Sequence, residues 1–274
     1  MTRIAAVVIA CALILPAGGC ARNRGGTDVG YIARDVNTLY ALAKQRLDEG
    51  DYELSAQLFA EVERQHPYSV WARRAMLMSA FSFYMARKYS DAISAGQRFL
   101  TLHPGNKDAP YAQYLISMSY YEQIEDVTRD QRTTQQALDS FGELVRRYPQ
   151  SRYASDARLK MDLLNDHLAG KEMEIGRFYE RSGKWLAANL RFRRVVEGYQ
   201  TTSHTPEALQ RLVETYLALG IPEEAQKSAA VLGANYPGSK WYQRAYDLIQ
   251  RHVRTPPPQP QPEPQPQPRA QPQG

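Results

Sequence analysis

The sequence predicts an all-α solenoid of helix pairs, and three observations carry that prediction. A short signature, Tyr or His followed by Pro and then Ser two residues on, recurs as HPYS at 66–69, YPQS at 148–151 and YPGS at 236–239, while HPGN at 103–106 keeps the proline. Twelve residues before each proline stands a small residue: Ser55, Ala92, Ala137 or Ala225. No strand pattern interrupts the folded part. Repetition at a fixed period marks architectures in which each unit stacks on its neighbours and buries a continuous core.

The N-terminal elements come first. Ile4 to Leu15 is an apolar run of twelve residues behind Arg3, too short for a bilayer-crossing helix, which needs about 20. Residues 1–19 therefore read as a secretory signal. The small residues Ala17-Gly18-Gly19 lead straight into Cys20 and resemble the lipobox of bacterial lipoproteins, with Ala17 where Leu is usual. In such proteins the cysteine becomes the acylated first residue. Cys11 lies in the part to be removed, which leaves Cys20 as the lone thiol, and a lone thiol in an oxidising compartment invites wrong disulfides unless it is occupied. The covalent lipid on Cys20 is the one non-protein group expected, with no other cofactor and no metal. Several acyl chains on one residue give stable anchoring, and Ala21, rather than Asp, points by analogy with lipoprotein sorting to the outer membrane. Residues 20–31, small and polar, read as a flexible tether.

The repeats follow. GDY at 50–52, RKY at 87–89 and GKW at 183–185 read as the turn inside a helix pair plus the aromatic that opens the second helix. IGRFY at 175–179 and LVETY at 212–216 read as stretches of first helices. These features resemble the tetratricopeptide pattern, in which a small residue lets two helices approach closely and a proline ends the second. Five units emerge, with the small residue at 55, 92, 137, 188 and 225, the fourth having Gln200 in place of its proline. The spacings are 37, 45, 51 and 37 residues. An insertion, EQIEDVTRDQRTT at 122–134, accounts for the second, and an additional connecting helix, YASDARLKMDLLNDHLAG at 153–170, for the third. Its apolar residues are Leu159, Leu163 and Leu164, with Ala157 and Leu168 beside them. KWYQRAYDLIQRHV at 240–253 reads as a capping helix. The expected layout is units one to three over 32–150, then the connecting helix, units four and five and the cap over 151–253. The tail, 254–274, holds nine of the seventeen prolines and reads as polyproline II or disordered.

Composition narrows the function. Loss of Arg3 with the prefix takes the formal charge from +5 to +4, short of the basic stripe of a nucleic-acid binder. The five histidines, at 66, 103, 167, 204 and 252, have no metal-ligand spacing. Gly170-Lys171 and Gly183-Lys184 lack the preceding glycine of a P-loop, and Glu223-Glu224 reads as helix N-terminal charge. A binding scaffold is expected rather than an enzyme. In tetratricopeptide folds the concave surface is lined by positions two, five, nine and twelve of the unit. In the first two units these are Asn37, Tyr40, Lys44 and Leu47, then Arg74, Leu77, Phe81 and Tyr84. Of these, Tyr40, Lys44, Arg74, Phe81 and Tyr84 make a candidate groove, whose aromatics and two cations suit a peptide ending in an aromatic residue and a carboxylate.

Longer segments carry a narrower resemblance. RFLTLHP, YAQYLISMSYY, the RDQ loop and YPQSRYASDA, within a likeness covering about 31–250, resemble the BamD/ComL lipoproteins of Gram-negative bacteria. The resemblance implies a lipid-anchored subunit at the periplasmic face of the outer membrane, in the machinery that inserts β-barrel proteins. It implies that the C-terminal repeats bind the periplasmic POTRA region of the barrel subunit and that the N-terminal repeats receive targeting signals of unfolded outer-membrane proteins. Other assembly lipoproteins are further expected partners. A family arginine that pairs with an acidic residue of the barrel subunit aligns with Arg191, with Arg193 and Arg194 as neighbours that serve equally. The rival functions are a pilotin guiding secretin or pilus assembly, and a coordinator of cell-wall synthesis working with the Tol system.

Overall fold

A computed structural model describes residues 35–127 and 129–254; the signal, Cys20, the tether and the Pro/Gln tail lie outside the described residues. Eleven helices and no strand occur among the described residues: α1 Val36–Asp48, α2 Tyr52–Gln65, α3 Val70–Met85, α4 Tyr89–Leu102, α5 Ala109–Tyr121, α6 Arg132–Arg147, α7 Ala154–Arg181, α8 Trp185–Gly198, α9 Thr205–Ala218, α10 Pro222–Asn235 and α11 Lys240–Arg254. Each helix packs on the next, and α1 with α3 and α3 with α5 touch directly, as stacked repeats require. The all-α solenoid of helix pairs is thus the architecture.

The repeat signature has a physical meaning at each position. The small residues Ser55, Ala92, Ala137, Ala188 and Ala225 are all fully buried where two helices approach. Phe59, Phe99, Phe141 and Phe192 fill the space beside them, and burying such a ring contributes roughly 1.5–3 kcal/mol. The residue before each proline leaves the helix with the same backbone: φ −132° and ψ 54° at His66, −130° and 56° at Tyr148, −136° and 53° at Tyr236. Proline forbids continuation of the helix and disfavours the helical backbone in the residue before it. At the first and last signatures the serine two residues on then starts the next helix, Ser69 Oγ accepting from the Ala72 N–H and Ser239 Oγ from the Tyr242 N–H, each at 3.1 Å, whereas Ser151 Oγ makes no hydrogen bond and α7 starts without a side-chain cap. Tyr199 reaches φ −133° and ψ 46° without a following proline. There the hydroxyls of Thr202 and Thr205 donate to its carbonyl at 2.8 and 3.0 Å and hold the same turn.

Inside the pairs, the turn needs a left-handed residue. Gly50, Gly183 and Gly220 supply it at φ +81°, +69° and +76°, and Arg87 takes the equivalent place at +59°. The third unit has the inserted loop instead, between α5 and α6.

Two expectations are refined. The connecting segment at 153–170 is helical, yet it runs without a break into the first helix of the fourth unit, giving one 28-residue helix, α7. Nothing between Ala154 and Arg181 is a proline, and Gly170 keeps a helical backbone against His204. Its core face is Ala154, Ala157, Leu164, Leu168 and Met173, whereas Leu159 and Leu163, named with Leu164 as its apolar residues, are exposed at 65% and 60%. Buried positions at 157, 164 and 168 follow a stripe that leaves 159 and 163 on the other side of a 3.6-residue helix.

Candidate functional site

Two surfaces carry the residues singled out from the sequence. The first is built on α1, α3 and α5. Tyr40 projects from α1 against the Phe59 ring at 5.3 Å and the Trp71 ring at 4.5 Å. Its hydroxyl is pushed above the usual tyrosine range by burial, an effect that the charges of Arg74 and Lys44 partly offset. The three side chains therefore share one electrostatic neighbourhood. Lys44 is exposed and pairs with Asp48 one turn on, at 2.8 Å. Phe81 and Tyr84, half-buried on α3, pack with Met76, Leu77 and Phe99. The Tyr84 hydroxyl donates to Glu122 at 3.5 Å, and burial, with the Glu122 charge beside it, raises its pKa. Leu77, at a groove position by register, instead belongs to the core.

The aromatic run continues past the residues read from the sequence. Tyr114 of α5 stacks on Tyr153 with centroids 4.9 Å apart, and Tyr111 lies 5.5 Å from the same ring. Tyr114 donates to Asp156 at 2.7 Å. Burial, with Tyr153 beside it, pushes the Tyr111 hydroxyl up to about 12, and Arg152, which lies 4.8 Å over the Tyr153 ring, partly offsets this. A signal for these residues was present: the register that gives Arg74, Leu77, Phe81 and Tyr84 gives Tyr111, Tyr114, Met118 and Tyr121 when moved on by the 37-residue spacing. Trp71 and Tyr153 sit just after a proline turn and carry no such signal.

The second surface is on α7 and α8. Arg191, half-buried, meets Glu172 at 3.0 Å, and Arg194 meets the other oxygen of the same carboxylate at 3.1 Å. Arg193 points elsewhere, donating to the Tyr216 hydroxyl at 3.3 Å and pairing with Glu197 at 3.5 Å. Arg191 and Arg194 line a concavity of about 390 Å³ with Tyr179, Ala187 and Leu190. The geometry brings two of the three candidate arginines together and separates the third. Glu172, which organises them, was invisible to a search for arginines.

Nearby on α7 and α9 lies a denser ionic cluster. Arg211 reaches Glu180 at 3.2 Å and Glu214 at 2.8 Å, and Arg177 reaches Glu207 at 3.1 Å. Burial, only partly offset by Arg211 and reinforced by Glu214 and Glu207, pushes the Glu180 carboxyl up to about 7. No group of three or more His, Cys, Asp or Glu residues is placed to hold a metal ion among the described residues, and no helix there is long and apolar enough to cross a membrane.

Stacked helix pairs with buried small residues at each close approach define a tetratricopeptide-type scaffold. The profile of the YfiO outer membrane lipoprotein family matches residues 33–232, and the chain belongs to that family. It is 51% identical to the outer membrane protein assembly factor BamD of Caulobacter vibrioides over 90% of this chain and 79% of that one. It is 42% identical to BamD of Rickettsia prowazekii, over 92% of this chain and 98% of that one, and 31% identical to BamD of Neisseria meningitidis serogroup A, over 88% and 94%. The resemblance read from RFLTLHP and YPQSRYASDA is borne out, and the family is one of assembly factors, not of enzymes.

Proposed function

We propose that this chain is a non-enzymatic subunit of the outer-membrane β-barrel assembly machinery, held by lipid on Cys20 at the periplasmic face of the outer membrane. Its N-terminal groove, around Tyr40, Lys44, Arg74, Phe81 and Tyr84 and extended by Tyr111 and Tyr114, takes the targeting signals of unfolded outer-membrane proteins. The α8 arginines meet an acidic residue in the POTRA region of the barrel subunit. Of the three, Arg191 and Arg194 are the better candidates, because one shared carboxylate leaves their two charges only half neutralised, whereas Arg193 is occupied by Tyr216 and Glu197.

The observation that carries this reading is the Arg191–Glu172–Arg194 cluster beside a concavity, on a chain whose relatives are assembly factors. The experiment is capture of the tagged protein from mildly solubilised envelopes, with mass spectrometry of what remains bound, for the parent and for Arg191→Glu. Recovery of a large barrel protein with POTRA domains, lost in the variant while the helical spectrum is kept, is the expected result. A partly desolvated pair of this kind, broken on one side, costs about 2–5 kcal/mol of binding. Recovery of a secretin, pilus or Tol component without that barrel overturns the reading.

A further inference from the structure

The turn between α2 and α3 presents an unusual surface. Tyr68 is completely exposed, at 101%, and Val70, the first residue of α3, is 74% exposed. Beside them Arg73, Arg74 and, from the α4–α5 turn, Lys107 rim a concavity of about 350 Å³ floored by the edge of Phe99. None of the three cations has an ion-pair partner among the described residues. Asp108 is the single acid on the rim, so the patch keeps two uncompensated positive charges. Leu102, at the end of α4, is exposed as well.

We infer that this edge is a membrane-contact patch for anionic phospholipid, in which Arg73 and Lys107 hold headgroup phosphates while Tyr68 and Val70 enter the interface. The chemistry fits on both counts. Unpaired cations near an anionic surface add attraction that falls away within a Debye length, and a tyrosine with an apolar body and polar tip is suited to the headgroup level. The shape decides between a lipid surface and a peptide. Tyr68, fully exposed on the α2–α3 turn, stands outside the concavity that Val70 and the cations line, and a projecting ring gains burial from a deformable surface that a peptide chain does not supply. The patch is independent of the partner readings above and shares only Arg74 with the candidate groove, so the test leaves Arg74 untouched.

The test uses the full lipidated chain in vesicles of phosphatidylcholine, with and without phosphatidylglycerol, carrying an environment-sensitive fluorophore at Tyr68→Cys or, as a control, at the exposed Gln226→Cys. Capture by both kinds of vesicle reports the Cys20 anchor; the fluorophore reports the patch. Emission at position 68 is expected to shift to shorter wavelength, and to be quenched by brominated lipid, only with phosphatidylglycerol, with position 226 unchanged. Arg73→Gln/Lys107→Gln, checked for an unchanged helical spectrum, is expected to lower the membrane-facing fraction about 25-fold, from roughly fivefold per cation. A water-like signal at 68 in both vesicles, an unchanged signal in the double variant, the same shift with inorganic phosphate alone, or displacement by a peptide ending in phenylalanine each overturns the inference.

Discussion

The Glu172 carboxylate of α7 meets the Arg191 guanidinium of α8 at 3.0 Å, and its other oxygen meets Arg194 at 3.1 Å. One half-buried acid thus fixes two cations that would otherwise repel each other. Glu172→Gln and Arg191→Ala should each cost about 1 kcal/mol, and the double variant less than their sum by on the order of 0.5–1 kcal/mol. Urea unfolding of the four proteins measures this coupling; strict additivity would mean that the two groups do not interact in solution.

Glycine in these helices is used in two opposite ways. At Gly176 a Cβ would fall 2.5 Å from the Phe192 ring, so Gly176→Ala should destabilise by about 1–3 kcal/mol through overpacking. At Gly142 of α6 the nearest atom would be the Met161 methyl at 3.9 Å, so Gly142→Ala should stabilise by about 0.5–1 kcal/mol through helix propensity. Thermal unfolding should move in opposite directions for the two variants.

Arg87 holds the left-handed position of its turn at φ +59°, where the first, fourth and fifth units use glycine. Arg87→Gly removes the clash between Cβ and backbone and should raise stability by about 1 kcal/mol. A lower melting temperature would show that the Arg87 contact with the Tyr89 hydroxyl, at 3.4 Å, outweighs the backbone strain.

Glu180 gives a pH dependence. Its folded carboxyl is pushed up to about 7 by burial, with Glu214 and Glu207 adding to the effect, from an unfolded value near 4.5. Between these values the folded chain binds more protons than the unfolded one, so this group's contribution to stability is complete below about 4.5 and is lost as pH rises through about 7. Glu180→Gln should therefore flatten the fall in melting temperature across that window and stabilise the protein at pH 8, on the order of 1 kcal/mol after allowance for solvent screening. Parallel melting curves for parent and variant at pH 4.5 and pH 8 would show that Glu180 titrates normally.

The repeat signature made the fold legible because each of its residues answers a local demand. The small residue marks a close helix approach, the proline a stop and the serine a start, and all three act within a few residues of chain. The aromatic run of the candidate groove was partly legible for the same reason, through register, which gives Tyr40, Phe81 and Tyr84 and by extension Tyr111 and Tyr114. What was not legible depends on contacts between helices. Glu172 reaches Arg191 across 19 residues of sequence, and Tyr153 meets Tyr114 across the turn that joins two units; no periodicity encodes such pairs. The fusion of the connecting helix into α7 has no positive mark in the sequence, because Pro, Gly or a cap announces where a helix ends and only their lack, or a Gly170 that keeps a helical backbone, shows where it continues.

That fusion has a mechanical consequence. The 28 residues of α7 make a rod about 42 Å long, with Asp156, the partner of Tyr114, near one end and Glu172, the partner of Arg191 and Arg194, in its second half. Every turn of the rod is braced by its own hydrogen bonds, so there is no joint at which the aromatic run and the arginine pair swing apart. The chain works as a ruler: whatever grips one surface is kept at a set distance and heading from whatever grips the other, and a pull on either is felt at both.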